Sequence, residues 1–543
     1  KHHLPISLDG VEEGDFTMVM GYPGGTDRYL SSFGVELAID LYNPSVVSVR
    51  EAKLDILNKH MRADRAVNIM YASKKARISN YWKYYIGQTK GLKRLNVYNK
   101  KLALESDFNN FVNSSDKNKE IYGDVLPDMK AAYMSIEKTT LSRVYLNEAA
   151  WGGPSFIKLA RRSEKLVEAL EADNDSLLEQ ATQKFSQQVD DSFKEYKKFI
   201  DKEIFVKMME MYATNVNKDQ LPEIIKEMVE KYDGNFKKWG DAVYDKSIFV
   251  SNKKMQAFLS SPNAKTIKKD PGYIIQKSIM DNYFNNIRPA SQGASSSLQV
   301  ANRLFIDGLR KMQPDKVFYP DANFTMRLTY GSVGEYKPGN AMKYDFETTL
   351  EGVFEKMDNS NPEFIVPEKL VELYNNKDYG AYANDNGLLN VCFISNNDIT
   401  GGNSGSPVIN GRGHLIGCAF DGNWEAMSGD IAFENMMQRT ISVDVRYILF
   451  IIDKFAGASN IINELELVKM SDKDKALKEV KETNAFISEI KSLIDEFPEI
   501  ISEKCEELNG GSKISFSDAF LKARNNNLES FKWKGQIYNT NVK

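Results

Sequence analysis

Hydrophobic and polar positions change their period along this chain, and each change predicts a boundary. Residues 1–36 read as strand and turn. Asp15-Phe16-Thr17-Met18-Val19-Met20 alternates, and Gly21-Tyr22-Pro23-Gly24-Gly25 is turn chemistry. From about residue 43 to 310 the period becomes helical. Asn43-Pro44 sets an N-cap residue before a proline at the first helical position, and Leu54, Leu57 and Met61 then recur on one helical face. The aromatic stripe Tyr81, Trp82, Tyr84 and Tyr85 reads as packing. From about 316 to 440 short β-rich runs return, at 317–319, 325–330 and 388–394, separated by Gly, Asn and Asp. Residues 406–417 read as a hairpin turning at Asn410-Gly411. A helix is expected from about 443 to 467. The tail from about 470 to 543 is polar and charged, carries no chemical motif, and reads as helices with a break at Pro498.

Composition narrows the class without naming a chemistry. A chain of 543 residues exceeds the size of a single core, so at least two domains are expected. Its net charge of -4 argues against a nucleic-acid binder, and no run of eighteen apolar residues predicts a membrane span. Cys392, Cys418 and Cys505 have neither disulfide-framework nor metal-ligand spacing, and the first two lie in apolar runs that predict buried free thiols. No cofactor is implied. The chain opens Lys1-His2-His3-Leu4-Pro5, without Met or a secretory leader, and enters strand-like sequence at once. It therefore reads as a fragment.

The sharpest chemical signal is Asp398-Ile399-Thr400-Gly401-Gly402-Asn403-Ser404-Gly405-Ser406-Pro407. Acyl transfer needs a hydroxyl nucleophile beside backbone N–H groups that can receive an oxyanion. Glycines on both sides permit the tight turn that aims those groups at one point. The pattern is close to the Gly-Asp-Ser-Gly-Gly-Pro of chymotrypsin-like enzymes. It is not the Gly-x-Ser-x-Gly elbow, because Ser406 stands at the final glycine position. Ser404 is the expected nucleophile, with the backbone N–H groups of Gly402 and Ser404 as the oxyanion hole. A plain Gly/Asn/Ser turn between strands is the alternative.

Downstream the chain reads Gly417-Cys418-Ala419-Phe420-Asp421-Gly422-Asn423-Trp424-Glu425-Ala426-Met427-Ser428-Gly429-Asp430, then Arg439-Thr440-Ile441-Ser442-Val443-Asp444-Val445-Arg446-Tyr447. Together with residues 21–29 and Ser79-Asn80-Tyr81-Trp82-Lys83, this closely resembles the dipeptidyl-peptidase 7 and 11 family of bacterial serine exopeptidases, over roughly residues 1 to 469. The resemblance implies an α+β fold, a chymotrypsin-like double β-barrel with a large α-helical cap inserted between the barrels. On that basis residues 1–36 would end the first barrel, most of which would be missing. Residues 37–310 would be the cap, 311–469 the second barrel with its C-terminal helix, and 470–543 a tail of unknown role. The resemblance also implies a periplasmic or cell-surface enzyme, peptide substrates with a free N-terminus, and the option of a homodimer.

It assigns Asn80 and Asp421 to the substrate's amino group, and Gly422 to the position that sorts specificity. Arg there goes with Asp or Glu at the second substrate residue, Gly with a broad, mainly hydrophobic preference. Plain readings compete: Asp421 as a turn cap in Asp-Gly-Asn, Asn80 as a helix residue. Asp398 invites a trypsin-like reading as a binder of basic side chains. None of the four histidines, His2, His3, His60 and His414, stands in the family's catalytic setting. The triad His and Asp are therefore expected upstream of Lys1. An endopeptidase of the same fold and a non-catalytic peptide-binding protein remain as alternatives.

Overall fold

The computed structural model describes residues 3–172, 174–361, 363–470, 530–533 and 536–539. They divide into one unit of Lys1–Leu467 and a second of Val468–Lys543.

The alternation in Phe16–Gly21 buries Thr17, Val19 and Gly21 on one face. This strand pairs antiparallel on one side with Arg327–Ser332 and on the other with Pro407–Asn410. The sheet continues through Leu415–Gly422, Thr440–Asp444, Asn390–Ser395 and Glu347–Thr349. It then curls back on itself. Val333 bridges Ser395, Asn396 N–H donates to Ser332 O at 3.1 Å, and Gly334 N–H donates to Ile394 O at 3.2 Å. Val19, Val333, Phe393, Val408, Ile416 and Ala419 fill the enclosed space. Asn397, 2% exposed, ties the closure: its Oδ1 accepts from Thr17 Oγ1 at 2.6 Å and Ser395 Oγ at 2.7 Å.

Residues 1–36 were expected to end a first barrel; their strand Phe16–Gly21 pairs within this sheet. Both edges of Phe16–Gly21 are hydrogen-bonded inside the sheet that carries Ser404, so no edge is left to join another. Gly21 stands opposite Arg327. The two strands are neighbours, and everything from 22 to 326 is an insertion between them.

That insertion is helical from Ser32–Leu37 to Arg288–Met312. Its first boundary differs from expectation. Helix begins at Ser32, and Asn43 is no cap: it has φ −62°, is buried, and donates through Nδ2 to Gln88 Oε1 and Thr89 Oγ1. A π turn at Ala38–Tyr42 relaxes the i→i−4 ladder just where Pro44 has no N–H to give. Leu54, Leu57 and Met61 are buried on Asn43–Ala63 as their spacing predicts. Asp64 caps the next helix, Arg65–Arg94, accepting from Ala66 N–H at 2.8 Å. The main helical core packs Phe156, Phe205, Trp239 and Tyr244 among aliphatic side chains, and a second cluster is built on Phe108, Tyr122 and Phe305.

Three further expectations change in detail. The hairpin at Pro407–Asn410 and Leu415–Gly422 turns over a longer loop than Asn-Gly alone: Asn410 Oδ1 accepts from both Arg412 N–H and His414 N–H at 3.0 Å. The helix after Thr440–Asp444 starts at Val445, capped by Asp444, and breaks at Gly457, whose φ is +68°. In the tail, Ser530–Trp533 and Gln536–Asn539 form an antiparallel pair, not helix. Phe531, Trp533, Ile537 and Tyr538 supply aromatic and β-branched side chains that favour a pleated strand. The rest of the predicted tail helices and Cys505 lie outside the described residues. Cys392 and Cys418 are free thiols, half-buried instead of buried. Among the described residues no helix is long and apolar enough to cross a membrane.

Asp201 is a fully buried carboxyl in the helical core, taking Ser155 N–H at 2.6 Å and Tyr244 O–H at 2.8 Å. Burial nonetheless pushes its pKa up. The folded state then holds this proton more tightly than the unfolded one. The resulting penalty is present above the folded pKa and is relieved as pH falls toward the unfolded value. We expect Asp201→Asn to flatten the pH dependence of urea-unfolding stability in that acidic window. An unchanged slope would show that the carboxyl does not titrate there.

Candidate active site

Ser404 stands at the tip of a turn between Pro407–Asn410 and the segment leaving Asn390–Ser395. The turn is held from inside and from the sheet. Asn403 N–H donates to Thr400 O at 3.1 Å, Ser406 N–H to Asn403 O at 3.0 Å, and Gly405 N–H to Ala419 O at 2.8 Å. Asn403 and Ser406 are buried while Ser404 is exposed, so the turn presents one hydroxyl outward. Ser404 Oγ donates to Phe420 O at 3.4 Å. Gly402 has φ +107°, a conformation that L side chains rarely adopt. Among the described residues no acceptor takes the N–H of Gly402 or of Ser404.

A second wall of the turn comes from the other end of the chain. Gly24 N–H donates to Gly401 O at 2.6 Å. A Cβ on Gly402 would run into the Tyr22 carbonyl, and one on Gly21 would stand 2.5 Å from Asn403 Oδ1. Backbone lies directly on backbone at Gly402 and Gly24, Gly21 packs under the Asn403 and Ser406 side chains, and the 21–25 turn is part of the support of the Ser404 turn.

Asp398 is spoken for. Its Oδ1 accepts from Arg28 Nη2 at 2.7 Å, and the Arg28 side chain is only 8% exposed. Arg28 Nη1 also donates to Tyr319 Oη at 3.0 Å, and its guanidinium lies 5.7 Å from the Phe433 ring centre. A carboxylate whose charge is already met by a buried arginine is a poorer partner for a basic substrate side chain, which disfavours the trypsin-like reading.

Asp421 and Gly422 end the Leu415–Gly422 strand. Pairing with Thr440–Asp444 runs Ile441 to Asp421 and then Ser442 to Ala419, so Phe420 is the extra residue of a bulge. The bulge turns the Phe420 carbonyl to Ser404 and leaves the Asp421 carboxylate exposed. Asp421 Oδ1 accepts from the N–H of the next residue, Gly422, at 2.8 Å.

Asn80 is exposed on Arg65–Arg94. It shares a helical stripe with Tyr84, Gly87 and Gly91. Tyr84 Oη donates to Asp430 Oδ2 at 2.7 Å and accepts from Gln88 Nε2 at 2.6 Å. Burial pushes both the Asp430 carboxyl and the Tyr84 hydroxyl above their usual pKa ranges. Gly87 and Gly91 lie against Met427 and Ser428. The stripe carrying Asn80 therefore faces the segment that follows Asp421-Gly422. No hydrogen bond in the structure joins Asn80 to Asp421 or Ser404.

The described histidines stand elsewhere. His3 Nε2 meets Glu466 at 2.7 Å, His60 Nε2 meets Glu203 at 2.7 Å, and His414 lies in the hairpin turn. His2 lies outside the described residues. Among the described residues no group of three or more His, Cys, Asp or Glu is placed to hold a metal ion.

The chain that carries this serine turn and the inserted helical block has known relatives. The peptidase S46 family matches residues 1–467. The chain belongs to this family. It is 41% identical over 468 residues to dipeptidyl-peptidase 7 of Porphyromonas gingivalis, covering 85% of this chain and 64% of the relative. It is 40% identical over 471 residues to an Asp/Glu-specific dipeptidyl-peptidase of Flavobacterium psychrophilum, covering 86% and 65%. The crystal structure of Porphyromonas endodontalis DPP11 with the dipeptide Arg-Glu superposes with a TM-score of 0.77 at 31% identity, covering 86% of this chain and 66% of that one. The chain thus spans just under two thirds of the length of these curated relatives.

Reading the sequence missed Arg28, Tyr84, Asp430 and Met427. Arg28 falls in a segment that carries the family resemblance, but nothing local marks its partner 370 positions away.

Gly402→Ala should disturb the turn without touching the helical core. Losing one oxyanion donor costs about 10²–10³ in kcat. We expect a loss of at least that size in the full-length protein, with the melting of the helical block little changed. Near-normal kcat would show that the turn tolerates a Cβ.

Proposed function

We propose that this chain carries the nucleophile and the substrate-sorting surface of a serine dipeptidyl-peptidase, which releases dipeptides from free N-termini with an apolar preference at the second residue. The carrying observation is Ser404 itself: exposed, at the tip of a glycine turn, beside two backbone N–H groups that no acceptor among the described residues uses. In this reading Ser404 Oγ attacks the carbonyl of the second substrate residue, and the N–H groups of Gly402 and Ser404 receive the oxyanion. The double-barrel arrangement and a catalytic His and Asp outside these residues belong to the same proposal, as do a periplasmic or cell-surface location and a homodimer.

Removing two residues at a time requires a stop for the α-amino group. Asp421 supports that role with an exposed carboxylate whose one hydrogen bond leaves further acceptor positions. Asn80 supports it from the facing helix. The helical insertion, docked on residues 424–430 through Tyr84, Gly87 and Gly91, favours an exopeptidase over an endopeptidase, since it restricts a long chain beside the serine.

The pocket for the second residue is assigned to Gly422. A Cβ there would stand 3.1 Å from Ala426 Cβ, 3.6 Å from Met427 Cε and 3.9 Å from the Arg439 carbonyl. These are small or apolar surroundings. The Arg439 guanidinium offers no spare cation, because it donates to the carbonyls of Gly334, Glu335, Asn435 and Gln438. An apolar side chain gains about 1.5–3 kcal/mol on burial, whereas an unpartnered carboxylate loses hydration. A second reading, acidic preference, is favoured by the Asp/Glu-specific relative and by the DPP11 complexes with Arg-Glu and Arg-Asp.

Ser404→Ala in the full-length protein should abolish turnover with folding intact. His60→Gln and His414→Gln should each avoid the roughly 10²–10⁴-fold loss that follows removal of a general base. Retained turnover in Ser404→Ala would reject the nucleophile, and a loss of that size in either histidine variant would relocate the base.

Specificity is tested by kcat/KM on dipeptide reporters with Leu or Asp at the second position. The wild type should favour Leu, and Gly422→Arg should move the preference toward Asp by supplying a fork of donors. A wild type that favours Asp would establish the acidic reading instead.

A further inference from the structure

Met427 touches both sides of the boundary between the sheet and the helical block. Its Cε lies 3.6 Å from where a Cβ on Gly422 would stand. Its Cγ and Cβ lie 2.6 and 2.8 Å from where a Cβ on Gly87 would stand. Gly87 belongs to Arg65–Arg94, the helix that carries Asn80. A single thioether therefore runs from the helix surface to the side of Gly422 on which a side chain would stand.

The segment holding Met427 is fixed at its base. Asn423 Oδ1 accepts from Ala426 N–H at 3.1 Å and Arg439 N–H at 2.9 Å, and Asn423 Nδ2 donates to Met437 O at 2.7 Å. The Trp424–Ser428 turn thus starts from a rigid point. Met427 is half-buried and unbranched, so its outer atoms go where the neighbouring surface lets them. On one side that surface is Gly87, whose missing side chain leaves the room Met427 Cγ occupies.

We propose that Met427 is the movable wall of the second-residue pocket, and that Gly87 sets where the wall stands. The inference builds on the proposed dipeptidyl-peptidase reading and deepens it. The size limit at the second residue is set jointly by the sheet, through Gly422, and by the helical insertion, through Gly87. Met427 and Gly87 are specificity-determining positions that need not touch the reacting atoms. A Cβ at Gly87 displaces Met427 toward Gly422 and narrows the pocket. Removing the Met427 side chain widens it.

The test uses the full-length protein and dipeptide reporters with Ala, Leu or Phe at the second position, read as ratios of kcat/KM. Met427→Ala should raise the Phe-to-Ala ratio by about tenfold or more, the scale at which a pocket discriminates by one or two methylenes. Gly87→Ala should lower the same ratio. Gly87→Ala combined with Met427→Ala should restore the wide-pocket ratio, and should melt nearer the wild type than Gly87→Ala alone, because the nearer clashing atom, Met427 Cγ, is gone. Gly293→Ala, where nothing lies within 4 Å of the added Cβ, is the control and should leave the ratio unchanged. Should Gly87→Ala fold poorly, Met427→Leu and Met427→Ala still test the wall. A flat ratio in Met427→Ala beside a responding Gly422→Arg overturns the wall and leaves the pocket standing. A flat ratio in both overturns the pocket assignment and the wall with it.

Discussion

The architecture depends on one contact in which there is no room for side chains. The 401–406 turn and the 21–24 turn lie backbone against backbone, tied by Gly24 N–H to Gly401 O at 2.6 Å. The conformation that leaves the Gly402 and Ser404 amides unused is kept by a neighbour pressed against it, not by the turn alone. Glycine at 24 and 402 permits that approach, at the entropic cost glycine carries in the unfolded chain. The strand pairing of Phe16–Gly21 with Pro407–Asn410 holds both turns in register. Sheet closure and nucleophile geometry are thus one constraint seen at two scales.

The helical block is attached where that constraint acts. It leaves the sheet after Gly21 and returns at Arg327, two residues that face each other across one strand spacing of about 4.8 Å. Arg28, just past the exit, reaches back to Asp398 at the start of the nucleophile segment. Lys101 Nζ donates to the Arg28 carbonyl at 2.6 Å, and Asp321 near the return takes Arg28 N–H at 2.8 Å. Exit, return and nucleophile segment converge on a single arginine. An ion pair of this kind adds little net stability once desolvation is counted, but it specifies one arrangement among several.

Local pattern was enough for the order of elements. The helical period of Leu54, Leu57 and Met61 and the alternation near Thr17 and Val19 report burial on one face, which is a property of neighbours in sequence. It was not enough for pairing. That Phe16–Gly21 sits between two strands from the far end of the chain depends on contacts more than 300 positions away, and no period encodes them. Asn43-Pro44 shows the limit of a local cue. The dipeptide suits a helix start, yet it also suits the turn after a π distortion, and tertiary packing against Gln88 and Thr89 chose the second. The turn at Ser404 was legible because the glycines at 401, 402 and 405 mark it in the sequence. Arg28 and Met427 were not, because an arginine or a methionine announces nothing about its partner.

The same logic explains why an insertion of this size sits beside a serine turn at all. A nucleophile and an oxyanion site suffice to cut a peptide bond; they do not count residues from an end. Counting needs a second surface at a fixed distance from the serine, and a sheet edge alone is a poor ruler because its side chains alternate away from any one point. A helix presents Asn80, Tyr84, Gly87 and Gly91 along one line, so a single docking contact fixes the whole stripe. Two glycines let that stripe approach the 424–428 segment closely, and Tyr84 locks its height through Asp430. Because the helix is rigid, a change in how it docks carries Asn80 together with Gly87, the residue against which Met427 rests. On the proposed reading, chain-end recognition and side-chain selection are therefore coupled through one helix.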